Sequence, residues 1–484
     1  MPERQGRQLK GGIRVAGTGW PPLAAALLAA PVAASAADFD GARLGLMWVL
    51  PFAGMLLSIA LLPLVALRLW HHHYGKIALG WALLTMLPLA AVHGVPAALD
   101  MTAHTLLLEF LPFIIFIGTL YVVAGGIYVR GNLHGSPLLN TGILAIGAVL
   151  ASLMGTTGAA MLLIRPLIRA NDNREHQVHT IVFFIFIVAN VGGSLTPLGD
   201  PPLFLGFLKG VSFFWTLQHM LLPMLFVLGI LLPLYFVIDT VLYRRDVARG
   251  LRRDPTPDSA LRIEGGVNFL LLALVIGAVL MSGLAKTGVE VEVLGQHLPL
   301  EGMMRDAAFL VIAAVSMAVT KKATRKSNEF GWGPIEEVAK LFFGIFLTMA
   351  PVLLMLRSGS AGAFAPLVQL VTDGGGQPVN SMYFWMAGSL SSFLDNAPTY
   401  LVFFNLAGGE PQALMTSLAP TLLAISAGSV FMGANTYIGN APNFMVKAIA
   451  EERRIRMPGF FGYMLWSGAI LIPTFIALTF VFFQ

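Results

Sequence analysis

The 484-residue sequence contains no cysteine. Disulfides, thiolate metal sites and cysteine nucleophiles are therefore excluded, while the compartment stays open. Charge is scarce as well: Asp, Glu, Lys and Arg make up 11% of the chain, against roughly a quarter in soluble proteins. There is no sizeable polar domain, and no Walker loop, G-x-S-x-G, H-E-x-x-H or dinucleotide fingerprint that would announce a soluble enzyme or a nucleotide-driven motor. Any work the chain performs must then draw on an ion gradient. The formal charge of +5 sits in short loops, where Lys and Arg set membrane orientation rather than bind nucleic acid.

What remains is apolar. Hydrophobic residues form 56% of the chain and the mean hydropathy is +0.77, which describes an all-α polytopic membrane protein. At about 20 residues per span there is room for roughly ten to twelve crossings. Arg4, Arg7, Lys10 and Arg14 precede an apolar stretch over 20–34 and an A-x-A-like Ala34-Ser35-Ala36, so residues 1–37 read as a signal-like segment, cleaved or retained as a helix.

Two features recur in the two halves of the chain. Residues 140–170 are too long for one span and are interrupted at Gly155-Thr156-Thr157-Gly158; residues 382–406 are interrupted at Asp395-Asn396-Ala397-Pro398. Each is followed by an apolar span broken in the middle, at Ser194-Leu195-Thr196-Pro197-Leu198-Gly199-Asp200-Pro201-Pro202 and at Asn435-Thr436-Tyr437-Ile438-Gly439-Asn440-Ala441-Pro442. Arg130, Arg165, Arg169 and Arg174 flank the first interrupted stretch, which makes it a re-entrant hairpin opening to the cytoplasm; the second lacks basic flanks and opens outward. The pattern predicts two inverted-topology repeats, each with a re-entrant hairpin and a broken transmembrane helix, as in secondary transporters. Boundaries fall at 38–135 (N-terminal helices), 136–219 (first hairpin and broken helix), 220–380 (connecting and second-half helices, with a flexible cytoplasmic linker near 243–265), 381–458 (second hairpin and broken helix) and 459–484 (C-terminal helix).

Asp200 and Asp395 are the sharpest chemical signals. A carboxylate in hydrocarbon costs from about 2.5 kcal/mol upward, so it faces a cavity or a partner, or it caps a half-helix. A buried acid can hold either a proton or a sodium ion but is poorly suited to both, and that competition is an exchange mechanism. Around the acids stand Thr156, Thr157, Ser194, Thr196, Asn396, Thr399, Asn435, Thr436 and Asn440, hard oxygen donors suited to a hard cation; taken singly, each reads equally as a packing hydroxyl or amide. Asp200, Asp395, Asn396 and Asn435 form the expected sodium set. Sodium is the expected transported or coupling ion, and no other cofactor is expected. His71-His72-His73 reads as an interfacial loop tract, Glu109 and Glu337 as helix-start acids, and Lys447 as a partner for an acid.

At these motifs the sequence resembles the ion transporter superfamily, most closely its NhaD-type sodium:proton antiporters and the related citrate transporter family. Ser194 to Pro202, Phe393-Leu394-Asp395-Asn396-Ala397-Pro398-Thr399 and Gly439-Asn440-Ala441-Pro442-Asn443 carry the likeness. The resemblance implies an elevator-type transporter in a bacterial inner membrane. It would be a homodimer in the lipid bilayer, with a scaffold and a mobile transport domain bearing both hairpins and both broken helices. It also implies Asp200 and Asp395 as acids with Thr156, Thr157, Thr196, Asn396 and Asn435 as ligands. Divalent-anion symporters of the superfamily carry Ser-Asn-Thr at both tips, whereas here Asp395 would repel a carboxylate substrate. Sodium:proton antiport is the leading expectation, sodium-coupled citrate or dicarboxylate symport the alternative, and a non-transporting scaffold or sensor the reading from another class.

Overall fold

The computed structural model describes residues 40–250 and 259–484; the signal-like segment at 1–37 and the middle of the linker lie outside the described residues. Backbone polar groups in hydrocarbon must be satisfied within the chain, which favours helices. Nine helices among the described residues are long and apolar enough to cross a membrane.

In the first half, α1 (Leu50–Val65) turns at Ala66 into α2 (Leu67–His93). The turn comes before Trp70, so His71, His72 and His73 lie on a helix and not in the expected loop. Gly94, at φ +94°, ends α2, and Pro96 opens α3 (Val95–Ala124), where a missing N–H costs nothing. A π-helical turn, Thr105–Phe110, interrupts α3. Ser136 caps α4 (Pro137–Met154), and Gly155 joins it to α5 (Thr156–Ala170). That joint needs glycine, because its φ of +82° is strained for residues with a Cβ. The broken span is α6 (Val178–Ile187), a single turn at Val191–Ser194, and α7 (Pro201–Leu208). The long helix α8 (Phe213–Ala248) completes the half.

The second half runs through α9 (Val267–Leu284), α10 (Leu300–Val319) and α11 (Gly333–Arg357). The second interrupted stretch is α12 (Asn380–Phe393) and α13 (Asn396–Leu406). The second broken span is α14 (Ala419–Phe431), a turn at Met432–Asn435, and α15 (Ala441–Glu452), followed by α16 (Phe460–Phe482).

The described residues are mostly helical, consistent with the expected all-α polytopic membrane protein, and add two short ribbons: β1 (Tyr128–Asn132) pairs antiparallel with β2 (Ser259–Glu264), and β3 (Glu290–Val293) pairs with β4 (Gln296–Pro299). The later part of the linker is thus tied down by Val129 opposite Ile263, rather than loose. Helix α8 packs against α4, α6, the Val191–Ser194 turn and α16. Arg174 follows the end of α5. Its side chain is wholly buried and bonds Asp239 through two nitrogens, at 2.6 and 3.2 Å. His179 Nε2 lies 2.7 Å from the same carboxylate, and Asn140 donates to it at 3.1 Å. This cluster pins α8 to the start of α6.

Helices α1, α2, α3, α9, α10 and α11 form one packed group, and α4 to α8 with α12 to α16 form the other; they meet where α11 lies on α13 and α3 on α5. Arg174→Ala removes the guanidinium from buried Asp239 and leaves it only His179 and Asn140, with an expected stability loss of about 3 kcal/mol. Arg130→Ala, whose ion pair with Glu264 is exposed, should cost at most about 1 kcal/mol. Denaturant unfolding of the purified protein in detergent checks both.

Candidate functional site

The two breaks are built the same way, 240 residues apart. Thr196 Oγ1 donates to Ser152 O at 2.5 Å, and Thr436 Oγ1 donates to Ser392 O at 2.5 Å. Ser152 Oγ donates to Gly192 O and Ser392 Oγ to Met432 O. Each threonine hydroxyl also accepts a backbone N–H from the loop behind it, from Leu198 and from Ile438. The repeated Gly frame has a steric cause. A Cβ on Gly199 would stand 2.1 Å from Gly193 O, and one on Gly439 2.6 Å from Gly433 O.

These tethers bring four helix starts together. Asp200 is the N-cap residue of α7, Asn440 that of α15, Thr156 opens α5 and Asn396 opens α13. All four are at most 2% exposed. The Asp200 carboxylate does not cap its own helix; Pro201 and Pro202 supply no N–H there. It turns to the other three residues instead. Oδ1 accepts from Thr156 Oγ1 at 3.1 Å and from Asn440 Nδ2 at 3.1 Å, and Oδ2 accepts from Asn396 Nδ2. Hydrogen bonds to a charged group contribute about 1.5–3 kcal/mol each, so three of them offset an ionic desolvation penalty of several kcal/mol. Among the described residues, no basic side chain joins the carboxylate's hydrogen-bond partners. A carboxylate offers about four lone-pair positions; three are used, which leaves one on Oδ2 for a proton or a cation.

Asp395 does something else. It is half-buried, and its Oδ1 accepts from Ala397 N at 3.0 Å, capping α13. It makes no hydrogen bond to Asp200 but lies within electrostatic reach of it. Of the expected sodium set, only Asp200 and Asn396 touch. Asn435 donates to Ser392 Oγ at 2.9 Å, and its Oδ1 is buried without a partner, as is Ser194 Oγ. Thr157 is half-buried and bonds neither acid. Thr399 bonds back to Asp395 O within its helix, and Lys447 pairs with Glu451, away from the acids.

Two asparagines complete the arrangement. Asn190 accepts from Asn440 Nδ2 at 3.3 Å and donates to Asn443 Oδ1 at 2.7 Å; Asn443 in turn donates to Gly433 O and Thr436 O. The first break is thereby wired to the second. Asn443 and Ser152 stood outside the expected site residues, although Ser152 and Ser392 share the 240-residue offset that marked the breaks. A separate group, Glu175, His176 and Asp246, has ligand atoms within 4.8 Å of one another, but Arg249 and Arg174 pair with it, and it belongs to the ion network under α8.

Thr196→Val and Thr436→Val each remove a hydroxyl that both donates and accepts, so each should destabilise its break by about 1–3 kcal/mol. Serine at either position should restore most of the loss, as thermal unfolding in detergent will register.

A family model described as "Putative citrate transport" matches residues 41–483. No curated protein matches the chain significantly. With nearly the whole chain matched, and the motifs that suggested the superfamily found at one buried site, the chain belongs to the citrate transport family of the ion transporter superfamily.

Proposed function

We propose that this secondary transporter exchanges sodium for protons at Asp200. The observation that carries the reading is the Asp200 carboxylate itself: buried, free of any basic partner, and bonded by Thr156, Asn396 and Asn440 with a lone-pair position to spare. Protonation and cation binding compete for that position. Among the described residues, buried oxygens without partners stand in both breaks, at Ser194 and Asn435, and orphaned oxygens of this kind suit a hard cation.

Inverted repeats give the exchange its alternation. The helix group α4 to α8 and α12 to α16 acts as the transport body and the other group as the scaffold, with the body moving as an elevator in a homodimer within a bacterial inner membrane. Sodium-coupled carboxylate symport is the second reading. It is favoured by the family description and by the four helix starts, whose positive dipole ends make an anion site once a cation neutralises Asp200.

Proteoliposomes with an internal pH dye test both readings. Sodium alone should drive proton movement in the wild type, and Asp200→Asn should abolish it. Asp395→Asn should transport with ion affinity changed by no more than about tenfold, because Asn caps a helix as well as Asp does. Labelled citrate accumulating only with sodium, without proton movement on sodium alone, would replace exchange by symport. Full activity in Asp200→Asn would sink both.

A further inference from the structure

A cavity of about 290 Å³ opens at the far ends of α7 and α13, on the side away from the basic end of α8 and hence external by the loop-charge rule. Its polar lining is His104 and Glu109 from α3, Lys209 just past α7, and Arg357 at the end of α11; leucines from α3, α7 and α13 supply the rest. Lys209 Nζ is paired with Glu109 Oε1, and both side chains are largely buried. Arg357 Nε donates to Asn405 Oδ1 at 2.6 Å, while its two Nη groups have no hydrogen-bond partner among the described residues. A largely buried lysine and an exposed arginine thus line the cavity with one acid, and the leucine walls beside Lys209 strengthen its field.

We propose that this cavity is a binding site for a small di- or tricarboxylate, and that Glu109 is the internal carboxylate holding the ligand's place on Lys209. A guanidinium with both Nη groups free presents the planar fork that carboxylates engage in pairs, and a ligand with a second carboxylate reaches Lys209 by displacing Glu109. Glu109 is suited to displacement because it sits on the π-helical turn Thr105–Phe110, a wide turn of the kind found at functional sites. Its ion pair also spans the seam between the two helix groups, so an arriving ligand would sever that tie. The site does not depend on Asp200 being the coupling group.

The test is calorimetric titration of citrate into the purified full-length protein in nanodiscs, at constant pH and ionic strength. The wild type should bind citrate. Arg357→Ala should weaken binding about tenfold or more, as loss of a charge-assisted bidentate contact does. Glu109→Gln should tighten it about tenfold by removing the competitor, whereas a purely structural Glu109–Lys209 pair predicts unchanged or weaker binding. Arg130→Ala, whose exposed ion pair with Glu264 lies outside the cavity, should leave affinity within about threefold of wild type. No citrate binding by the wild type, no tightening in Glu109→Gln, or binding lost in Arg130→Ala but kept in Arg357→Ala would each overturn the proposal. Should Arg357→Ala fail to fold, Arg357→Lys replaces it and must also bind more weakly.

Discussion

A carboxylate held away from water inside an apolar body is the constraint from which the central architecture follows. Asp200 needs donors, and continuous helices have none to spare, since their N–H groups are committed to their own carbonyls. Breaking four helices at one level frees ends and side chains to surround it. The breaks create costs of their own, met locally: Thr196 and Thr436 pin the loops to Ser152 and Ser392, and glycines at 193, 199, 433 and 439 let backbone cross backbone. Asn443 then donates to Gly433 O and Thr436 O of the second break and accepts from Asn190 of the first. Taking away the acid would strip the buried Thr156 hydroxyl and Asn396 amide of the acceptor they share.

Much of this was legible because helix-breaking residues are rare in apolar sequence. The two interrupted stretches and two broken spans stand where Gly, Pro, Asp and Asn interrupt hydrophobic runs, and Asp200, Thr156, Asn396 and Asn440 were all among the expected site residues. Side-chain direction was not legible. Nothing in sequence distinguishes Asp395, which bonds its own helix, from Asp200, which turns away from its own; the difference lies in Pro201 and Pro202, whose missing N–H groups are visible but whose consequence is geometric. The burial of Arg174 was not legible for a related reason: its partner Asp239, which makes burial tolerable, lies in a helix distant in sequence. The β3–β4 ribbon left a readable trace, since Glu290-Val291-Glu292-Val293 alternates before Leu294-Gly295, both at positive φ, as a tight hairpin turn requires.

The polar contacts divide into those that hold one helix group together and those that join the two. Arg174 with Asp239 lies within the group that carries the site, as do the threonine tethers. Ion pairs run between the groups at opposite ends: Lys209 with Glu109 on one side, and on the other Glu329 with both Arg165 Nη2 at 2.6 Å and Arg453 at 3.6 Å. In each, the cation belongs to the group that carries Asp200 and the acid to its neighbour. Deep pairs inside a group and pairs open to water across the seam are what a body needs if it is to move without deforming, because a pair exposed to water contributes little, as with half-exposed Glu329 and Arg453.

The two halves are matched in backbone but not in charge, and this mismatch sets what the site can do. At the level of the breaks, Asp200 faces Asn440; at the level of the tips, Gly155 corresponds to Asp395. Two aspartates facing each other at the breaks would place like charges in contact, and one of them would be kept protonated. Two asparagines would leave no charge for a cation to neutralise. One acid in each tier, drawn from opposite halves, yields a centre with a single negative charge ringed by neutral donors and a second acid set back against its own helix. In the exchange proposed above, such a centre would be neutral with either a proton or a sodium ion in place and charged only when empty, so a burial cost on the empty acid would hold it back from crossing, and one-for-one exchange would answer to the two ion gradients and not to the membrane potential.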